Sequence, residues 1–423
     1  MKLLIKIPLV IFFLGFFSYR ASAQEVLTWQ DCIREAAKNH PDLIAAQESV
    51  KESEASKKIT ASTLFPQVDS SLGVSTARTD TGTSKTTGDT YTYGVTGTQL
   101  LFDAGKTVNN VKAASEDIKA AKQGFQFTSA TVRFRLRSAF INLLKTQELL
   151  RITQEIYDIR RGNLELITLR YESGLEHKGA LLTAEADLAE AQYEIFQAHR
   201  NVEVSRRQLV KEMGRPQLTP IQVKADFEIK DAATEKPDFE ALAKNNPSLK
   251  QLIAQKNAAE FSLRSAYANF LPEVSAEAGA NKTGSHWPAQ NDQWNLGVSL
   301  SLPIFEGGLR TAQVSQAKSA LEQLRANQRS TQDSVVLTLE QNWAALQDAI
   351  NNVDVQRKSL IATEERSRIA QAQYSIGFIG FDNWTIIEDN LVSAKRAFLD
   401  ARADALLAEA NWIQAKGETL EYE

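Results

Sequence analysis

The stretch AAKNHPDLIAAQ (36–47) returns later in the chain as LAKNNPSLKQLIAQ (242–255). Both stretches contain an Asn-x-Pro sequence, and Pro41 corresponds to Pro247, 206 residues later. Self-similarity at a fixed spacing is the signature of a duplicated structural unit, and it has to be found before any single segment is interpreted. These stretches therefore predict that the chain contains two copies of one unit.

Three further landmarks repeat in the same order. They are LFPQV (64–68) with FLPEV (270–274), FDAG (102–105) with FEGG (305–308), and YESG (171–174) with YSIG (374–377). The spacing between the copies changes by a three-residue loop only. Four landmarks in one order indicate a tandem duplication that runs through almost the whole chain.

The N-terminal segment has the composition of a secretory signal. Lys2 and Lys6 flank a short apolar run, and Ala21-Ser22-Ala23 provides small residues at a cleavage site. The apolar run is too short for a membrane-spanning helix. We therefore predict a signal peptide at 1–23, repeats at 24–215 and 239–417, a connector at 216–238 and a C-terminal tail at 418–423.

The composition argues against several classes of function. The 423 residues carry 48 Lys and Arg against 52 Asp and Glu, so no basic face for nucleic acid is expected. Cys32 is the only cysteine, which excludes an intrachain disulfide, and the four histidines show no metal-ligand spacing. We expect no cofactor, no metal and no enzymatic activity, and we predict that Cys32 is a buried small apolar residue in the first helix.

Each repeat contains one stretch in which apolar and polar residues alternate. Leu296, Val298, Leu300 and Leu302 alternate with polar or small residues, and a period of two predicts a strand with one apolar face. The sequence predicts β-hairpins at about 67–102 and 273–303, with polar loops at 77–89 and 281–293 and strands of about ten residues. Strands of that length cross a membrane when tilted.

Most of the remaining chain has the three-and-four spacing of amphipathic helices. Long helical hairpins are predicted at about 106–213 and 309–415, turning at Gly174 and Gly377. The first helix of each hairpin would contain about 65 residues and be near 100 Å long. A helix of that length needs coiled-coil or barrel packing.

Four strands are too few to close a membrane barrel, because single-chain bacterial barrels begin at eight strands and open edges are not tolerated in lipid. Three subunits would supply twelve strands and enough helices to enclose a space. The predicted fold class is therefore mainly α with a small β part. Its long antiparallel helical hairpins form a trimeric α-barrel, and a transmembrane β-barrel with four strands per subunit caps it.

In this layout the sequence resembles the TolC-like outer-membrane efflux protein family. The resemblance rests on the signal, the duplicated strand pair and long helix, the F-[DE]-x-G entry to each long helix and the Y-x-x-G turns. It implies a homotrimer in the outer membrane that extends into the periplasm. It further implies a periplasmic adaptor and, through it, an inner-membrane transporter, in a tripartite efflux or type I secretion system.

Three sets of residues are candidates for function. The helical-tip turns, which are also candidate adaptor contacts, comprise Tyr171, Gly174, Tyr374, Gly377, Phe378 and Phe381. Candidate lumen-facing acids are Glu185, Asp187, Asp382, Glu388 and Asp389. Candidate aromatics at the lipid interface are Tyr91, Tyr93, Phe102, Trp287, Trp294 and Phe305.

Each set also has a purely structural interpretation. The glycines serve a turn that needs positive φ, and the aromatic residues near the second turn, Phe378, Phe381 and Trp384, pack between helices. The acids lie on a solvated helix face paired with Arg or Lys, and the strand aromatics fill a soluble β-layer. Two other functions stay open, a soluble periplasmic coiled-coil adaptor or scaffold and a secreted enzyme, although no convergent acid, base and nucleophile set supports the enzyme.

Overall fold

The computed structural model describes residues 25–227 and 235–420. The predicted signal peptide at 1–23, part of the connector and the last three residues of the tail lie outside the described residues. The first repeat contains β1 (Glu25–Leu27), α1 (Trp29–Asn39), α2 (Pro41–Ser62), β2 (Gln67–Asp80), β3 (Lys85–Phe102), α3 (Lys106–Glu172) and α4 (Lys178–Glu212).

The second repeat has the same order of elements. After β4 (Ile221–Val223) come α5 (Phe239–Asn245), α6 (Pro247–Ala268), β5 (Glu273–Gly284), β6 (Asn291–Ser301), α7 (Leu309–Ser375) and α8 (Phe381–Lys416). Both α3 and α7 contain 67 residues, in agreement with the predicted length. The mainly helical fold with two long helical hairpins and four long strands is thus confirmed.

Glycines with positive φ mark both ends of the long helices. Gly105 (φ 80°) and Gly308 (φ 86°) precede α3 and α7, while Gly174 (φ 71°) and Gly377 (φ 77°) follow them. L-residues with a side chain rarely adopt this backbone conformation, which is why glycine recurs at helix boundaries. The F-[DE]-x-G and Y-x-x-G landmarks therefore mark where the long helices begin and end.

The long helices change partners along their length. Near the strands the helices lie in the order α2, α3, α6, α7, and at the opposite end the order is α4, α3, α8, α7. Only α3 and α7 run the whole length, so the shorter helices stack end to end beside them. None of the helices in the described part of the chain is both long and apolar enough to cross a bilayer.

The four long strands form one antiparallel sheet in the order β2-β3-β5-β6. The turns are shorter than the predicted polar loops, because the strands continue to Asp80 and Lys85 in the first hairpin and to Gly284 in the second. β2 and β3 contain 14 and 18 residues, more than the predicted ten. Cross-strand pairing continues through the Thr- and Ser-rich segments that the sequence suggested were loops.

The cross-strand register gives the sheet one apolar and one polar face. Leu72 pairs with Tyr93 and Val74 with Tyr91 on the apolar face. That face is completed by Val68, Val95, Val274, Ala276, Ala278, Ala280, Trp294, Leu296, Val298 and Leu300. The opposite face carries Ser, Thr, Gly, Asn and Gln with a few acids. Trp294 and Leu296 are 80% and 75% exposed in the single subunit, so the apolar face needs a partner or lipid to cover it.

The main hydrophobic core lies midway along the helices, where both repeats meet. β1 pairs in parallel with β4 of the connector, and the side chain of Gln147 on α3 bonds to both the N–H and the C=O of Val223. The connector is therefore partly a strand, held against α3. Cys32 is fully buried in α1 within this core, as predicted.

Candidate functional site: the helical tips

The tips of the two helical hairpins share a small hydrophobic core. Tyr374 at the end of α7 is fully buried and stacks on Trp384 of α8, with ring centroids 4.3 Å apart and an interplanar angle of 11°. Phe381 packs beside them at the start of α8, and Ile167 of α3 completes the contact across the two hairpins. Aromatic side chains of this size contribute most of the buried area in a small cluster.

Two polar residues of the first hairpin tie the tips together. Arg170 on α3 donates to the backbone carbonyls of Tyr374 (3.2 Å) and Ser375 (3.4 Å), and its guanidinium lies 4.7 Å from the Tyr374 ring centroid. The Tyr374 hydroxyl donates to Oε2 of Glu176 at 2.8 Å. Burial and this hydrogen bond to Glu176 raise the pKa of Tyr374, so it stays a neutral donor at physiological pH.

Neither Arg170 nor Glu176 was predicted from the sequence as a tip residue. Arg170 directly precedes the Y-x-x-G motif and Glu176 follows its glycine. An Arg in the last turn of a helix commonly interacts with the C-terminal carbonyls of that same helix. Nothing in the sequence indicates that Arg170 of α3 instead donates to the carbonyls at the end of α7. That contact depends on the tertiary packing of α3 against α7 and α8.

Three large apolar side chains project from the tips. Leu175, Ile376 and Phe378 are 66%, 80% and 75% exposed, respectively, in the two turns. We call these three residues the tip surface. Large apolar side chains that are this exposed in two adjacent turns are typical of an interaction site.

The other predicted tip residues divide between two roles. Tyr171 is partly exposed beside the first turn, and Gly174 and Gly377 have the positive φ of turn residues. Tyr374 and Phe381, in contrast, are buried between the helices. As direct adaptor contacts these two are wrong, because their rings form the core that supports the tip surface.

The structure contradicts the lumen assignment for Glu388. This residue is only 6% exposed in the single subunit, and its carboxylate accepts a 2.6 Å hydrogen bond from the hydroxyl of Ser367 across α7 and α8. Its counterpart in the first repeat, Glu185, is exposed, as is Asp382. A side chain buried within one subunit cannot line a channel between subunits.

Asp187 and Asp389 are brought together by an arginine that was not predicted from the sequence. Arg160 of α3 pairs with Asp187 of α4 at 3.4 Å and with Asp389 of α8. Burial raises the pKa of Asp187, and the neighbouring Asp389 adds to this effect against the opposing influence of Arg160. Asp187 and Asp389 thus join three helices through Arg160. This arrangement is similar to the structural interpretation of the acids, in which they lie on a helix face and pair with Arg or Lys.

The predicted interface aromatics lie at both ends of the sheet. Tyr91 and Tyr93 of β3 contact Trp287 in the β5–β6 turn, with ring centroids 6.3 and 5.4 Å apart. Phe102 and Phe305 lie at the helix-proximal end, where Phe305 is 87% exposed. Trp294 lies a few residues inside β6 on the apolar face. The exposed Phe65 next to β2 extends the helix-proximal group and was not among the predicted residues.

Taken together, a duplicated helical hairpin of this length, a four-stranded sheet with one exposed apolar face and an apolar tip describe a subunit of an outer-membrane channel. In the described residues no group of His, Cys, Asp and Glu side chains is arranged to hold a metal ion. The model of the outer membrane efflux protein family matches residues 32–215 and 239–418. The chain belongs to this family, and the resemblance seen in the sequence is confirmed.

Individual relatives and solved structures agree with this assignment. The outer membrane efflux protein BepC of Brucella suis is 22% identical over 408 residues, covering 94% of this chain and 86% of BepC. The outer membrane protein TolC of Escherichia coli is 25% identical over 354 residues, covering 76% of this chain and 68% of TolC. The crystal structure of the Campylobacter jejuni CmeC outer membrane channel superposes with a TM-score of 0.82 at 19% identity, covering 93% of this chain and 86% of CmeC.

The family and the fold are those of channel proteins of the outer membrane that act in efflux. The two matched segments of the family model leave residues 216–238 unmatched.

Proposed function

We propose that three copies of this chain form one continuous duct for efflux across the outer membrane and the periplasm. The exposed apolar face of the β2-β3-β5-β6 sheet carries this proposal. A four-stranded sheet with two open edges and an apolar face exposed to water is unstable alone, whereas a closed barrel of three sheets pairs every edge and turns that face to lipid. The polar face then lines the lumen.

The trimer is tested by negative-stain electron microscopy of the protein extracted from outer membranes in detergent, with the mass measured alongside. The expected particle is a tapered trimer, because each 67-residue helix is about 100 Å long. Monomers that stay soluble without detergent would contradict the duct and favour a soluble coiled-coil adaptor.

We further propose that the tip surface docks a periplasmic adaptor, through which an inner-membrane transporter delivers cargo. Leu175, Ile376 and Phe378 are exposed at the end farthest from the sheet, while the Arg170–Tyr374–Glu176 contacts hold both turns in a fixed relation. A rigid scaffold that presents a few apolar side chains is the arrangement expected of a binding hot spot. Tyr171 lies at the margin of this surface.

The docking proposal is tested with the double variant Ile376→Ser, Phe378→Ser. Because both side chains are exposed, the variant should form normal trimers with normal conductance in planar bilayers, and it should lose efflux in cells and adaptor cross-linking. Leu218→Ser is the matched control, since Leu218 is an exposed apolar residue of the connector region far along the chain from the tips. Full efflux by the double variant would overturn the docking proposal.

The remaining acids near the tip end are proposed lumen residues. Glu185 and Asp187 lie within the first three turns of α4, and Asp382 and Asp389 lie within the first three turns of α8. Asp187 is half-buried and the other three are exposed, and three-fold symmetry would bring three copies of each toward one axis. Concentrated negative charge in a pore favours cations. Asp382→Asn combined with Asp389→Asn should reduce cation selectivity in bilayer recordings, and an unchanged reversal potential would contradict the assignment.

A further inference from the structure

The two edge strands of the sheet are open in the single subunit. β2 pairs only with β3 and β6 only with β5, and all residues of β2 and β6 are exposed. The closed barrel proposed above joins β6 of one subunit to β2 of a second copy. These strands run in opposite directions, because β2 leads away from the helices and β6 leads back to them. What remains to be determined is the register, that is, which residues of the two strands lie opposite each other.

The faces of the two strands exclude half of the possible registers. The apolar face carries Val68, Leu72 and Val74 on β2 and Leu296 and Val298 on β6. All five have even numbers. Residues directly opposite each other in an antiparallel pair lie on the same face, so even-numbered residues of β6 have to lie opposite even-numbered residues of β2. A slip by one residue would turn the apolar set of one strand toward the lumen.

The lengths of the strands favour a register in which Val298 lies opposite Leu72. The whole of β6 then lies opposite 69–79, inside β2, so each residue of β6 has a strand residue as its partner. The outer part of β2, which extends beyond the end of β5, gains a second neighbour in this register. A slip of two residues away from the helices would place Asn291 opposite Thr81, in the turn that follows β2.

The tilt of the strands argues for the same register. One cross-strand row runs from Gly73 on β2 across β3 and β5 to Asn291 on β6. With Val298 opposite Leu72, this row continues to Thr79 of the next copy. It therefore climbs about 20 Å along the strands while it crosses four strand spacings, about 19 Å. The resulting tilt of about 45° lies at the upper end of the range for membrane barrels, about 35–45°. A slip of two residues outward needs about 55°, and a slip of four residues toward the helices leaves only about 20°.

Charges at the outer end of the sheet decide against the one slip that the tilt allows, two residues toward the helices. Lys282 lies opposite Asp292 and pairs with it at 3.1 Å. With Val298 opposite Leu72, Arg78 of the next copy lies on the other side of Asp292, so the row carries charges of alternating sign. Opposite charges that face each other directly stabilise an antiparallel pair. The slip toward the helices would place Asp292 opposite the uncharged Thr76 instead.

We propose that the barrel closes in this one register, with Val298 opposite Leu72 and Asp292 opposite Arg78 of a second copy of this chain. The proposal rests on the trimeric barrel proposed above, and it adds the residues through which neighbouring subunits meet. In the described part of its own subunit Arg78 has no ion-pair partner. The subunit boundary provides one, because it brings Arg78 next to the Lys282–Asp292 pair.

Disulfide formation between subunits measures the register. Ser299 and Ser71 lie opposite each other in the proposed register, on the polar face. The variant Ser299→Cys, Ser71→Cys is assembled in outer membranes, oxidised, and separated on a denaturing gel without reductant. Opposed residues of an antiparallel pair have Cα atoms about 4.5–5.5 Å apart, within the range that a disulfide bridges. The expected product is a covalently linked trimer.

Two further variants report the neighbouring registers. Ser299→Cys with Gly73→Cys detects the slip away from the helices, and Ser299→Cys with Asp69→Cys detects the slip toward them. In the proposed register these pairs are about 7–8 Å apart, so they should link subunits at least about tenfold more slowly than the pair with Ser71→Cys. Faster linkage by either variant would overturn the register and leave the barrel in place.

Ser275→Cys with Ser299→Cys is the matched control. The hydroxyls of Ser275 and Ser299 lie 2.9 Å apart across β5 and β6 of one subunit, so this pair should form a disulfide within the subunit whatever the register. The single variants should give no linked subunits, because Cys32 is buried. If the control disulfide forms and none of the three other pairs links subunits, the edges do not meet, and the trimeric barrel itself is contradicted together with its register.

Discussion

A glycine follows each of the helices α4 and α8. The first lies against the boundary between α1 and α2, and the second lies against the boundary between α5 and α6. Gly214 (φ 76°) follows α4, and a Cβ placed there would lie 2.4 Å from the carbonyl oxygen of Asn39. Gly417 (φ 79°) follows α8, and its Cβ would lie 2.4 Å from Cδ of Pro247. Neither glycine was among the predicted functional residues, although both follow a long helical pattern, because the sequence does not show which backbone lies opposite.

We predict that Gly214→Ala destabilises the subunit, because positive φ and the contact with the backbone of Asn39 both oppose a side chain. The penalty for the backbone conformation alone is about 1 kcal/mol or more. Gly162→Ala is the control: Gly162 lies in the exposed interior of α3 with open space around it, and alanine there should stabilise the helix by about 1 kcal/mol. Thermal midpoints of the two purified variants should move in opposite directions, and a stabilised Gly214→Ala would contradict the close approach of Gly214 to the backbone of Asn39.

The buried thiol of Cys32 should be unreactive in the native protein. Burial raises the pKa of its thiol to about 12, so almost no thiolate exists at neutral pH, and the thiolate is the reactive form. A thiol reagent at about pH 8 should therefore leave the native protein unmodified and label it fully after unfolding in detergent and heat. Ser56→Cys, at an exposed position of α2, is the positive control. Rapid labelling of the native wild type would show that the core around α1 opens readily.

At the scale of elements, the landmarks predicted the ends of the helices better than their buried faces. The sequence predicted the three-and-four spacing of an amphipathic helix along α3, yet consecutive residues such as Ala139, Phe140 and Ile141 are all buried. The reason is that α3 has neighbours on several sides, α2 and α6 near the strands and α4 and α8 near the tip. A periodicity argument assumes one buried face, so it cannot describe a helix that is surrounded.

At the helical tips, the two Y-x-x-G motifs likewise predict the turns but not which residues are buried. Tyr171 and Tyr374 occupy equivalent positions in the Y-x-x-G motifs, but only Tyr374 is fully buried. The difference arises because the tip core forms around the second hairpin, where Trp384 stacks on Tyr374. A duplicated sequence predicts equivalent turns, and only the packing of the two hairpins against each other separates a core residue from a surface residue.

The polar face of the sheet contains a regular arrangement of glycines. Gly73, Gly94, Gly279 and Gly297 lie on successive strands, and each is two residues in register closer to the helices than the one before. Glycine positions on one face allow a sheet to bend sharply. This diagonal is therefore where we expect the sheet to curve into a barrel wall.

We predict that Gly94→Ala impairs barrel formation. A Cβ at this position would lie 2.3 Å from Oδ1 of Asn281 and 2.6 Å from the carbonyl oxygen of Ala280 on the neighbouring strand. The amount of trimer recovered from outer membranes should fall severalfold. Gly88→Ala, in the same strand with open space around the position, should assemble normally. Normal assembly of Gly94→Ala would show that the diagonal is not needed for curvature.

At the scale of the whole molecule, duplication produced two similar halves that have diverged at a few positions. Glu185 is exposed on α4, whereas its counterpart Glu388 is buried on α8 against Ser367. The architecture could be predicted from the repeated landmarks, because strand period, helix length and turn glycines are local properties. The lumen residues could not, because which helix face meets water depends on how α3, α4, α7 and α8 pack together.

In a closed barrel, one face of each strand must be apolar because it faces lipid, and the other can be polar because it faces the lumen. Two neighbouring residues of β6 lie on these two faces. Val298 lies on the apolar face opposite Ala276, and Ser299 lies on the polar face, where its hydroxyl is 2.9 Å from that of Ser275. An arginine that faces lipid costs up to about 2–4 kcal/mol, depending on its depth in the bilayer, and this cost is repeated in each of three subunits, whereas an arginine in a wet lumen costs little.

We therefore predict that Val298→Arg nearly abolishes trimers in the outer membrane, while Ser299→Arg assembles but conducts fewer cations, because three positive charges then face the pore. Trimer recovery measured by gel electrophoresis without heating and single-channel conductance in planar bilayers distinguish the two variants. If both variants assembled equally well, the sheet would not face lipid, and the barrel would have to be abandoned. If Ser299→Arg failed and Val298→Arg assembled, the polar face would be the one turned outward.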